Sequence, residues 1–155
     1  MKWDIEERVE DPFVAYLTSV VGGTMRVYAA HGFDTPQFPC VIVFAASADP
    51  LSESAAWHDP RRIAVRVAVQ VEATSEIDAN GAVTRTAREV NAALRSDVMA
   101  ALATTGLMAS LIATGTAAVA FSQAQLIGPI QRAVSGRMME TIYPVEVIAE
   151  PVEGT

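Results

Sequence analysis

Cysteine is almost missing from the 155 residues: Cys40 stands alone, so no intrachain disulfide can form and no thiol pair can hold a metal. That usage fits a reducing compartment. Histidine is nearly as scarce, with only His31 and His58, and neither stands beside a carboxylate or thiol at a ligand spacing. Both read as loop residues, and no metal is expected. Lysine is limited to Lys2 against ten arginines, and 18 acidic residues against 11 basic ones leave a net charge of −7. Affinity for phosphate backbones comes from clustered cations that release counterions, so this balance argues against tight DNA binding. Nucleotide-binding glycine patterns are missing too: Gly22-Gly23 lacks both the following lysine and the third glycine, and no nucleophile-elbow pattern occurs. No cofactor is expected.

An apolar secretory core is also lacking, because Asp4, Glu6, Glu7 and Arg8 occupy the N-terminus. The expectation is a chain that begins at Met1 and is made in the cytoplasm. Charge is missing between Asp97 and Arg132, a stretch long enough to span a bilayer. Gly106, Gly115, four threonines and many alanines keep its hydropathy modest, and Pro129 ends it, so a buried helix end followed by a buried strand is the better account.

What is present is enough for a core. Apolar residues make up 51% and charged residues 19%, which is the composition of a chain that folds, and the length is that of one domain. Residues 1–155 therefore read as a single α+β domain, with residues 1–11 as a flexible N-terminal arm and residues 150–155 as a C-terminal tail. Two helix starts compete near the N-terminus: Asp4 and Glu7 have capping-box spacing, and Asp11-Pro12 offers a cap followed by proline at the first helical position. Phe13, Tyr16, Leu17 and Val20 then share one helical face, and Gly22-Gly23 supplies the stop.

An extended piece over residues 24–30 leads to a loop with His31, Gly32, Pro36 and Pro39. "CVIVF", residues 40–44, suits a strand covered on both faces, and a polar loop is expected over residues 45–60. In "RRIAVRVAVQVEAT" the side chains of Ile63, Val65, Val67, Val69 and Val71 alternate with Arg62, Arg66, Gln70 and Glu72, the pattern of a long half-buried strand. Asn80-Gly81 marks a turn. Val83, Ala87, Val90, Leu94, Val98 and Leu102 then recur at helical spacing through Ala103. Beyond Gly106 the chain admits a short helix and a strand or two strands, with a strand favoured over residues 117–126. A final strand is expected over residues 137–149, with Pro144 marking an edge position or a bulge. This order predicts an antiparallel or mixed β-sheet with two main helices packed on one face.

Few residues invite chemistry. Cys40 opens an apolar strand and reads as a packed thiol rather than a nucleophile. Asp4, Glu6, Glu7, Glu10 and Asp11 cluster, but such a group more often complements a helix dipole as a solvated helix start than performs acid–base work. Arg61-Arg62 with Arg66 forms the densest basic spot, and Trp57 precedes it; a partner-binding edge or a plain strand start fits it better than nucleic acid. No catalytic residue is assigned.

Several local strings, in order, carry a resemblance: the N-terminal helix, "RVY" at Arg26 to Tyr28, a proline-bearing loop, "FPCVIVF" at Phe38 to Phe44, the alternating strand from Arg62, the helix after Asn80-Gly81, and the closing "YPVEVIAEPVE". With these the chain resembles the tail-terminator (tail completion, or minor tail) proteins of long-tailed bacteriophages. The resemblance implies a structural virion protein and not an enzyme. Its subunits would form a homo-oligomeric ring, usually a hexamer, at the head-proximal end of the tail tube and join the tube to the neck. The implied partners are further copies of the chain, the tail tube protein and neck or connector proteins. The implied location is the virion, after synthesis in the bacterial cytoplasm, with no membrane contact. DNA would pass without specific binding, helped by the acidic surface. Interface candidates are Trp3, Phe13, Phe38, Trp57, Arg61 and Arg62, chosen as exposed aromatics and arginines. The competing readings are another neck, head-completion or tail-tube subunit, and a small non-viral ligand-binding α+β module.

Overall fold

The computed structural model describes residues 6–30, 35–51, 59–72, 74–114 and 119–151. A π-helical turn (Glu6–Glu10) runs directly into α1 (Asp11–Val21). There follow β1 (Arg26–Ala29), β2 (Cys40–Pro50), β3 (Arg61–Glu72), β4 (Glu76–Ile77), β5 (Val83–Arg85), α2 (Ala87–Leu102), α3 (Leu107–Thr114), β6 (Val119–Leu126), β7 (Gln131–Ser135) and β8 (Met138–Pro151). The main sheet has the order β1-β2-β3-β8-β6, with β7 also pairing β8 beyond the end of β6. Among the described residues only the β1–β2 pair is parallel, so the sheet is mixed and the fold is α+β, as the element order predicts.

The alternation of β3 decides which face is buried. Ile63, Val65, Val67, Val69 and Val71 point into one apolar cluster with Val41 and Val43 of β2 and Tyr143, Val145 and Val147 of β8. Over this layer lie Phe13 and Leu17 of α1, Val98 and Leu102 of α2, and Leu107 and Leu111 of α3, all fully buried. Each such side chain contributes about 1.5–3 kcal/mol relative to an exposed one. Tyr16 ties two helices together, its hydroxyl donating to the Ala101 carbonyl at 2.7 Å, and the Tyr143 hydroxyl donates to the Arg95 carbonyl at 3.3 Å, joining β8 to α2. Burial raises the pKa of both phenols, so they hold these protons.

Several sequence expectations are corrected. The residue before α1 is Glu10 in helical conformation, with Asp11 and Pro12 already inside, so the Asp11-Pro12 cap does not form; Asp4 lies outside the described residues. Glu10 is not solvated: it is 1% exposed, and its Oε2 accepts the Ala45 N–H at 2.9 Å. The cause is geometric. Val43 directs its carbonyl toward β1, accepting from Ala30 N–H at 3.0 Å, and Ala45, two residues on, faces the same way where β1 has ended. The carboxylate takes the place of the missing strand. With Arg8 and Val9 buried as well, the stretch from Arg8 to Asp11 belongs to the fold rather than to an arm.

β2 continues through the expected loop to Pro50, held by Arg61–Ala64 of β3 across a register shift at Ala45/Ser47. β8 likewise extends through Pro151, two residues into the expected tail. Helix α2 starts at Ala87 rather than Val83: Thr86 accepts the Glu89 N–H at 3.2 Å and donates to Glu89 Oε1 at 3.1 Å, and Val83 belongs to β5. Pro144 sits at neither edge nor bulge but in central β8. It falls in the gap between β6, whose pairing stops at Val145, and β7, whose pairing starts at Ile142. Its carbonyl, which accepts Ile127 N–H at 2.9 Å, faces that gap, and the absent N–H on the same side has no ladder partner to lose. Among the described residues, no single helix is long and apolar enough to cross a membrane.

Candidate interaction surface

Helices α1, α2 and α3 pack on one side of the sheet. The other side is built by the second half of each alternation: Ile42 and Phe44 from β2, Ala64, Arg66 and Ala68 from β3, and Ile142, Pro144 and Ile148 from β8. Register sets them in rows. Phe44, Arg66 and Pro144 stand side by side, as do Ile42, Ala68 and Ile142. Phe44 keeps 39% of its surface exposed although it belongs to the run expected to be covered on both faces. Beside this row a hollow of about 220 Å³ opens between Arg66, Gly128, Pro129, Gln131, Ile142 and Pro144.

The polar groups on this face are mostly engaged with one another. Arg62 Nε lies 3.6 Å from Glu146 Oε1, a pair open to solvent on the arginine side that adds little stability. Gln70 Nε2 donates to Glu140 Oε2 at 2.6 Å, and the Cys40 thiol approaches Gln70 Oε1 at 3.8 Å. Burial, with Glu140 nearby, pushes the Cys40 thiol up to about 11, so at neutral pH it is a protonated, packed group. Arg66 differs: among the described residues it makes no hydrogen bond or ion pair. An arginine set between Phe44 and Pro144 has the composition that protein interfaces favour.

The candidates named from sequence are dispersed. Phe38 is 40% exposed and forms one wall of a cleft of about 630 Å³ beside β1, together with Met25, Arg26 and Tyr28. Arg61 and Arg62 open β3 opposite Pro50 and Asp49, at the far end of the strands from Phe38. Phe13 is fully buried among the helices and cannot serve as a surface aromatic; the helical period that places Phe13 with Tyr16 and Leu17 is the core-facing stripe. Trp3 and Trp57 lie outside the described residues, as do His31 and His58. The sequence reading missed Phe44, Ile142 and Pro144. The available signal was parity, since each stands opposite an outward residue of β3. Among the described residues no group of three or more metal-ligating side chains converges.

No family model matches this chain, and no curated protein matches it.

Proposed function

We propose that the chain is a structural subunit of a long-tailed phage virion, a tail terminator that closes the head-proximal end of the tail tube as a homo-oligomeric ring and joins it to the neck. The observation that supports this reading is the sheet face left bare by the helices, where apolar side chains surround Arg66. A two-layer fold with one uncovered, partly apolar sheet face gains by association, because that face is the inner surface of a second layer not supplied by the chain itself. The partners on this reading are further copies of the chain, the last ring of tube protein and the neck, with DNA passing through a channel whose acidic walls repel it.

Native mass spectrometry across a wide concentration range, with electron microscopy of the assembled fraction, tests the proposal. A closed ring, a hexamer above all, is the expected result. A dimer that never grows would overturn it. That outcome would favour a second reading, a small ligand-binding module, for which the cleft of about 630 Å³ beside β1 is the supporting observation.

A further inference from the structure

One part of the chain has no place in the two-layer body. β4 and β5 form a separate two-stranded sheet in which Ile77 pairs with Val83, and every residue from 74 to 84 is exposed. The turn is well made: Asp78 Oδ1 accepts the N–H groups of Asn80 and Ala82 at 2.8 and 3.0 Å, and Gly81 takes the positive φ of 82° that closes it. The strands nevertheless carry two exposed large apolar side chains, Ile77 at 64% and Val83 at 59%. An isolated two-stranded hairpin is marginal in water, and one with an apolar cross-strand pair facing solvent is better stabilised against another surface.

We propose that this hairpin is an intersubunit arm, and that the β4–β5 arm of one copy seats its Ile77/Val83 pair on the bare sheet face of a second copy, around Phe44 and Arg66. Charge as well as apolarity selects that site. Within the arm Glu76 is taken up by Arg85, 3.6 Å away, which leaves Asp78 at the turn as the carboxylate on offer, and its Oδ2 makes no hydrogen bond among the described residues. The face carries Arg66, also without an ion pair among them. Two chains of net charge −7 repel, so a contact that brings Asp78 to an arginine locally offsets the repulsion. Arm and face are different parts of the molecule, so the contact can be made head to tail, and where the rotation closes it builds a ring; the same two surfaces exchanged reciprocally would stop at a dimer. The inference rests on the ring reading above and names its contact.

The test combines assembly with a directional cross-link. In a Cys40→Ser background, chains carrying Val83→Cys are mixed with chains carrying Phe44→Cys and oxidised, with Ile112→Cys, exposed at 56% on α3, replacing Phe44→Cys in the control. The expected result is a mixed 83–44 disulfide at several times the control yield. Ile77→Ser/Val83→Ser, at exposed positions that leave the body intact, is expected to lower the ring population in native mass spectra by about tenfold or more. A wild-type ring with neither the mixed disulfide nor any response to the hairpin variant overturns the arm contact and leaves the ring standing. A wild-type chain that forms no ring overturns both.

Discussion

Val67 lies fully buried in the middle of β3, between Val43 on one side and Tyr143 on the other. A carboxylate there has neither water nor a cation to meet it, so Val67→Asp is expected to cost about 4 kcal/mol or more and to abolish soluble folded protein. Circular dichroism and a thermal melt check this, and a cooperative melt near that of the wild type would show that the side chain does not point inward. Cys40 supplies a pH dependence. Its folded pKa of about 11 lies above the ordinary 9.0, so between these values the unfolded chain has lost a proton that the native chain keeps. Stability is therefore unaffected by this group below about pH 9 and falls as pH rises toward 11. Tyr16 and Tyr143, also raised by burial, add to the fall from pH 10 upward. Urea unfolding at stepped pH measures it, and thiol labelling at pH 7.5 is expected to be slow in the native protein and fast once unfolded.

At the scale of elements, Tyr16 holds α1 to α2 through the carbonyl of Ala101, in the last turn of α2. Tyr16→Phe keeps the ring and removes the hydroxyl, and the bare carbonyl is expected to cost about 1–2 kcal/mol, read as a lowered urea midpoint with an unchanged slope. Elements that bury a periodic face were legible in the sequence: β3 and β8 by alternation, α1 and most of α2 by their apolar stripe. Elements held by pairing rather than by burial were not. β4 and β7 are exposed along their length and β5 is exposed but for Arg85, so no hydrophobic period marks them, and only the Asn80-Gly81 turn gave a trace. The far half of β2 escaped because its partners are Arg61–Ala64, a backbone match that leaves no mark in composition. Glu10 escaped for a related reason, since a carboxylate that finishes a strand edge looks in sequence like any acid at a helix start.

Over the whole molecule, the candidate surface was half visible. The alternation in β3 shows where Arg66 points, but which strands flank it follows from the order β2-β3-β8, a contact between residues far apart in the chain. The aromatics chosen for exposure failed where burial is decided by helix packing, as at Phe13. Net charge, by contrast, is a property of the whole sequence. With a balance of −7, the protein is expected to produce no mobility shift on linear duplex DNA at physiological salt, and a shift that weakens steeply with added salt would reveal a basic patch that overrides the balance.

β8 pairs on one side with β3 along its length and on the other with both β6 and β7. In time this means that β3, made early, waits for its second neighbour until residues 138–151 have left the ribosome. At the about 5–20 residues per second of synthesis, that edge stays open for several seconds, while the helices that cover the sheet face are already being made. The sheet is therefore completed from its middle and late, and the nascent chain passes through a stage in which a long valine-rich strand offers its backbone to any neighbour. Crowded synthesis of many copies is where that vulnerability would be greatest.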